Sequence, residues 1–283
     1  MSASDTRVGI RAGGREYRIE TRLLFAERTD APLLVFLHEG LGSVSMWRDF
    51  PQRLCRAGGL RGLVYSRPGH GRSTARPDHE KWPVTFMHHQ AQDVLPAVFD
   101  ALGIDTAEQP VWLFGHSDGG SIALLHAAHF PQCVHGVIAL APHLFVEDLS
   151  VGSIAKVREA YRHTDLRDRL ARHHRDVDSA FWGWNDIWLD PAFRHWNIER
   201  DIAGIGCPVL AVQGLDDEYG TLAQIERIAD LVPGTALLRL PACAHSPHRD
   251  QPQAVIEATT GFIDRYRVAR ESKTGPGARQ ELT

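Results

Sequence analysis

The chain is 283 residues long, 43% of them hydrophobic, with 31 Lys and Arg against 35 Asp and Glu for a formal net charge of −4. That length suits one large α/β domain with a small insertion, and the mixing of both signs excludes a nucleic-acid footprint or a polybasic membrane patch. No stretch approaches the ~18 consecutive apolar residues of a membrane span, and the opening MSASDTRVGIRAGGREYRIE lacks the apolar core of a signal peptide.

Taken in chain order, Val8–Arg11 and Tyr17–Arg22 alternate apolar with polar around Gly13-Gly14, the pattern of an antiparallel hairpin at a sheet edge. Short continuous apolar runs follow at Leu33–Leu37, Leu60–Tyr65, Val111–Phe114, Val134–Leu140, Val209–Val212 and Ala236–Leu240. Runs of that kind fit strands buried on both faces of a parallel sheet. Helical periodicity lies between and after them, over Met46–Ala57, Met87–Leu102, Ser121–His129, Leu222–Leu231 and Gln253–Tyr266. The alternation predicts an α/β fold with a doubly wound, mostly parallel sheet. It breaks once: residues 142–205 carry helical and Trp-rich sequence, including FWGWNDIWLDPAFRHW, and no strand pattern. The expected division is therefore a core of residues 1–141 and 206–270, an all-helical insertion over 142–205, and a disordered polar tail from 271 to 283.

Cys55, Cys133, Cys207 and Cys243 are scattered without C-x-x-C spacing, as in a cytoplasmic protein with reduced thiols. The 16 histidines include the adjacent pairs His88-His89 and His173-His174, but no H-E-x-x-H or clustered Cys/His spacing. No metal is therefore expected.

The most informative stretch is Gly115-His116-Ser117-Asp118-Gly119, between the apolar run Val111–Phe114 and the helical run from Ser121. Strand, G-x-S-x-G and helix in that order describe a nucleophile elbow, with Ser117 on a turn too tight for side chains at 115 and 119. The N–H groups after Ser117 then lie at a helix N-terminus, where negative charge is stabilised. A serine nucleophile needs a base and a group to orient that base. On such an elbow they follow in the order Ser, acid, His. Two later loops qualify: Gly214-Leu215-Asp216-Asp217-Glu218 after one strand, and Ala244-His245-Ser246-Pro247-His248 after the next.

Together these motifs resemble the α/β-hydrolase fold superfamily over nearly the whole chain, from the hairpin to about residue 268. The resemblance implies an eight-stranded sheet in which residues 142–205 form a helical cap. It selects Asp217 over Asp216, from G-x-x-D, and His245 over His248, from a small residue before H-x-P. Ala244 stands where relatives carry glycine. Ser117 would attack an acyl carbon, His245 would shuttle the proton and Asp217 would orient the imidazole. An oxyanion hole would draw on the backbone N–H of Asp118 and, by similarity of Leu37-His38-Glu39-Gly40-Leu41-Gly42-Ser43 to an H-G-x-x-G-S turn, that of Gly40. His38 is expected to brace that loop.

Two departures stand out. Glu39 occupies a position where glycine is usual, and in Tyr65-Ser66-Arg67-Pro68-Gly69-His70-Gly71-Arg72-Ser73 the serine Ser66 replaces the aspartate of a D-x-x-G-x-G-x-S turn. Either Glu39 pairs with Arg67 or it lines the substrate pocket. Trp182, Trp184, Trp188 and Trp196 would roof that pocket or form the cap's own core, with His143 facing it. The resemblance implies hydrolysis of a carboxylic ester, thioester or lactone without cofactor, on a small-molecule acyl substrate. A homodimer is compatible with this; nucleic-acid and membrane partners are not expected. Two alternatives share the pattern: a C–C bond hydrolase for aromatic ring-fission products, and a hydrolase-like binding protein. A dehalogenase is disfavoured because its elbow normally carries a carboxylate.

Overall fold

Residues 5–274 are described in a computed structural model of the chain. β1 (Asp5–Ala12) and β2 (Arg15–Leu24) form an antiparallel hairpin. Its two-residue turn, Gly13-Gly14, takes positive φ at both positions, the hand that matches strand twist. β3 (Leu33–Leu37), β4 (Arg61–Tyr65), β5 (Val111–His116), β6 (Val134–Leu140), β7 (Val209–Gly214) and β8 (Ala236–Leu240) complete an eight-stranded sheet of order β1-β2-β4-β3-β5-β6-β7-β8. The pairs from β4 through β8 are parallel, and only β1·β2 and β2·β4 are antiparallel. Every residue of β3, β5 and β7 is buried, which is why these strands read as unbroken apolar runs.

Helices cover both faces. α1 (Phe50–Ala57) and α11 (Pro252–Thr274) close one side, where Leu54 and Phe262 pack with Phe36, Phe114 and Val212. The other side carries α2 (Phe86–His89), α3 (Leu95–Ala101) and α4 (Asp118–His129), where Val94, Ile122 and Leu125 pack with Val35, Leu37 and Leu113. The β6–β7 connection contains α5 (Asp148–His163), α6 (Leu166–Ala171), α7 (Val177–Trp188), a 3₁₀ turn (Pro191–His195) and α8 (Glu199–Ile202). An isolated bridge, Phe145 to Asn197, ties its two ends. α9 (Ala223–Leu231) and α10 (Pro247–Asp250) follow β7 and β8.

Three elements differ from the sequence pattern. The helix expected from Met46 is a 3₁₀ turn over Val44–Trp47, followed by Arg48 at φ 54° and then by α1. Pro51 in the first turn of α1 has no N–H to give an earlier turn, so the ladder restarts there. The helix expected over Met87–Leu102 contains a π segment, Gln90–Val94, where Leu95 N–H bonds Gln90 O. Pro96 cannot donate to Gln92, and the wider turn before it absorbs the missing bond. The last helix runs to Thr274, past the expected start of the tail, and residues 275–283 lie outside the described residues.

Candidate active site

β5 ends at His116 and α4 begins at Asp118, leaving Ser117 alone in the turn at φ 52° and ψ −121°. A non-glycine residue in that region costs about 1–3 kcal/mol, and it persists only where its surroundings over-determine it. Here Ser117 N–H donates to Leu140 O and Gly120 N–H donates to Ser117 O, each at 2.8 Å. A Cβ at Gly115 would lie 2.1 Å from Gly119 O, and one at Gly119 would lie 2.1 Å from Leu37 O. Both contacts are with backbone, so neither position admits a side chain.

The loops after β7 and β8, beyond β6 in the sheet, carry Asp217 and His245, the expected acid and base. The Asp217 side chain is almost wholly buried, and its carboxylate accepts from His245 Nδ1 at 2.9 and 3.0 Å. It also accepts from Tyr219 N–H at 2.8 Å, Gly220 N–H at 3.2 Å and the Gln213 amide at 3.1 Å. Burial pushes the Asp217 carboxyl up, but the His245 hydrogen bond and charge, with the Tyr219 N–H, outweigh it and hold the group below its usual value. Asp216 is exposed. His248 is buried among Trp47, Phe50 and His116, with neither ring nitrogen hydrogen-bonded among the described residues.

Ser117 Oγ makes no hydrogen bond among the described residues. The serine and the histidine loop are linked one residue earlier, where His116 Nε2 donates to His245 O at 2.7 Å. Bonds between a nucleophile and its base commonly tighten only with substrate bound.

The loop after β3 completes the setting. His38 accepts Arg67 N–H at Nε2 (3.0 Å) and donates from Nδ1 to Glu39 O (2.7 Å). Burial, followed by the Arg67 charge, drives its pKa well below the usual range, so His38 is a neutral brace. Gly40 O accepts from His70 Nε2 at 2.8 Å. Among the described residues, the N–H groups of Gly40 and Asp118 have no acceptor.

The expected pocket residues separate by helical period. Trp184 lies directly over Gly40, its Nε1 within 2.1 Å of where a Cβ on that residue would stand. Trp188 donates from Nε1 to Asp118 Oδ1 at 3.1 Å and packs its ring 4.9 Å from His143. Trp182, expected with them, instead packs on Tyr161 and Phe181 with Arg158 and Arg162 over its ring. Positions 184 and 188 share one side of α7 and 182 faces the other. Trp196 packs on Trp188 and Phe193. His143 lies 5.9 Å ring to ring from His245, and burial pushes it down to about 3, leaving a neutral imidazole.

Of the two readings of Glu39, the pairing with Arg67 is not made. Arg67 gives Nη2 to Glu39 O (2.8 Å), but the carboxylate it faces is Asp118, at 3.7 Å. Glu39 instead directs its carboxylate to Arg249 Nη2 (3.1 Å) and His116 Nδ1 (3.6 Å). The carboxylate missing at Ser66 comes from β2: Glu20 Oε2 accepts from Ser66 Oγ (2.7 Å) and Arg72 N–H (2.9 Å). His116, Arg249 and Glu20 were not foreseen. His116 sits at a variable position of the elbow motif, and the other two carry no local signal.

Glu39 thereby joins three loops, those of Gly40, Ser117 and His245. Burial opposes its ionisation, yet His116 and Arg249 outweigh that and hold the carboxyl well below the usual range. A folded-state pKa below the unfolded value of about 4.3 gives stability that is present above that pH and is lost as pH falls through the folded value. Glu39→Gln is therefore expected to cost about 1–3 kcal/mol at neutral pH. Urea titrations should show the gap to the parent closing as the pH drops below about 4. An undiminished gap at low pH would refute this role.

Comparison with known proteins places this geometry. The model of the alpha/beta hydrolase family matches residues 34–258. A bifunctional esterase/perhydrolase of Acinetobacter calcoaceticus is 24% identical, covering 83% of this chain and 92% of its own length. A 2-succinyl-6-hydroxy-2,4-cyclohexadiene-1-carboxylate synthase of Serratia proteamaculans is 31% identical, covering 87% of this chain and 98% of its own length. A solved carboxylesterase structure from Nitrososphaera gargenis superimposes with a TM-score of 0.72 at 17% identity, covering 92% of this chain and 99% of that one.

Proposed function

The chain belongs to the alpha/beta hydrolase family, and from that premise we propose that it is a serine hydrolase cleaving a carboxylic ester, thioester or lactone through an acyl-enzyme. The reading is carried by one observation: a buried carboxylate–imidazole pair, Asp217–His245, stands at the same sheet edge as a serine held at positive φ. Esterases among the relatives and structural neighbours agree with it.

In this mechanism Ser117 Oγ attacks the acyl carbon as its proton passes to His245 Nε2. The displaced electron pair settles on the carbonyl oxygen, facing the N–H groups of Gly40 and Asp118. Collapse expels the alcohol, thiol or enol, which takes the proton from His245. Water then repeats the sequence and releases the acid. Asp217 fixes the imidazole tautomer with its proton on Nδ1 and stabilises the transient imidazolium. The β6–β7 connection acts as a cap, with Trp184 and Trp188 bounding the acyl pocket and excluding water.

A fluorophosphonate probe should label the parent and not Ser117→Ala, and a panel of p-nitrophenyl esters and lactones should be turned over in the same pattern. Failure to label the folded parent would overturn the serine mechanism. A second reading follows from the 31% identity to the Serratia synthase, namely C–C bond chemistry on a cyclic or ring-opened carboxylate. Turnover of such compounds by a protein inert toward every ester and lactone would select it.

A further inference from the structure

A second cavity, of about 680 Å³, opens between the β1–β2 hairpin and the segment joining α6 to α7. It is lined by Arg7 and Arg72 from the core, and by Arg172, Arg175, His173 and His174 from the β6–β7 connection. Its charge is unusual in a chain of net −4. Elsewhere guanidiniums are commonly engaged: Arg15 with Glu80, Arg158 with Asp186, Arg167 with Asp178 and Arg239 with Glu226. By contrast, none of the four arginine side chains in the cavity has a hydrogen bond, an ion pair or an aromatic partner among the described residues.

Neither carboxylate in the lining forms an ion pair with these guanidiniums among the described residues. Asp5 is held by Arg22 at 2.6 and 2.9 Å. Glu20 is buried and accepts from Ser66 Oγ and Arg72 N–H. The His173 pKa is lowered first by burial and then by the charges of Arg249 and Arg48, which lie outside the lining, and of Arg172 within it.

The geometry points to a binding site for a soluble small molecule carrying two or more linked phosphate groups, held between the core and the β6–β7 connection. The volume suits a small ligand. Arginine forks match phosphate oxygens in pairs, which makes oligophosphates the fitting class of anion. The cleft draws like charges from two parts of the fold, and a polyvalent anion held there would bridge them.

The floor of the site reaches the loop that follows β3. His174 accepts Gly71 N–H at Nδ1 (3.0 Å), so its proton is on Nε2, which donates to Leu41 O at 2.9 Å. His173 Nδ1 bonds Ser45 Oγ, also at 2.9 Å. An anion here would steady the segment 171–175 against the loop of Gly40.

Titration calorimetry of the full chain with inorganic tripolyphosphate tests the site. Micromolar binding is expected at low ionic strength, weakening at least tenfold on raising salt to about 0.15 M, because exposed charge pairs are screened over about 8 Å. The double variant Arg172→Gln/Arg175→Gln should bind at least tenfold more weakly than the parent. Arg265→Gln, an exposed arginine on α11, should bind as the parent does. Hydrogen exchange in segment 171–177 should slow on binding. Adenosine triphosphate in a parallel titration separates the sources: tighter binding than tripolyphosphate means that an organic moiety is read, equal binding that the phosphate chain alone is. No binding by the parent at millimolar tripolyphosphate, or equal binding by the double variant, would overturn the proposal.

Discussion

Ser117→Ala should lower kcat on the best ester substrate by about 10⁴-fold or more while leaving KM and the melting temperature nearly unchanged. The separation follows from the local structure. Ser117 Oγ has no hydrogen bond among the described residues, so its removal orphans no partner, and alanine at φ 52° inherits the same backbone cost. Uniform binding would be retained, because the acyl pocket and the two backbone donors do not involve that oxygen. His245→Ala should give a loss of similar size, and the double variant should be little worse than either single one, as expected of groups that act as a unit. Steady-state kinetics beside thermal melts would decide it. A Ser117→Ala protein retaining activity within tenfold of the parent would remove the serine from the mechanism.

The second large effect concerns stability. Gly119 lies in α4 at an ordinary helical φ, where alanine would normally gain about 1 kcal/mol. Space reverses the sign: the new Cβ would meet Leu37 O at 2.1 Å, and that oxygen belongs to the backbone of an interior strand. The clash requires either α4 or β3 to move, and Gly119→Ala should cost at least about 3 kcal/mol, at the upper end of overpacking losses. Gly152 in α5 is the control. It is exposed, nothing lies within 4 Å of its added Cβ, and Gly152→Ala should raise stability by up to about 1 kcal/mol. Denaturant unfolding measures both. A neutral Gly119→Ala would mean that the elbow is looser than its geometry implies.

Much of the fold was legible because burial writes itself into sequence. Strands such as β3 and β5, enclosed on both faces, leave apolar runs that polar turns punctuate, and the elbow glycines announce a backbone contact that no other residue permits. Helix boundaries near Pro51 and Pro96 were misjudged, since an apolar period says nothing of where a missing N–H restarts or widens the ladder. Trp182 was grouped with Trp184 and Trp188 by composition, although a residue two positions away on a helix faces the opposite side.

The polar supports were the least readable. Glu39 meets Arg249 across 210 positions of chain, and Glu20 replaces a carboxylate absent 46 positions later. Such partnerships are set by strand pairing and loop approach, and neither leaves a local pattern. The expected pairing of Glu39 with Arg67 is not made for this reason: the carboxylate that the arginine faces is Asp118, inside the elbow itself.

The twisted backbone at position 117 sets durability against reactivity. Glycine there would relax the turn, and a lineage released from its chemistry would be rewarded with a sturdier fold by adopting it. Under the proposed mechanism, serine at such a spot lowers stability in exchange for the position of its hydroxyl.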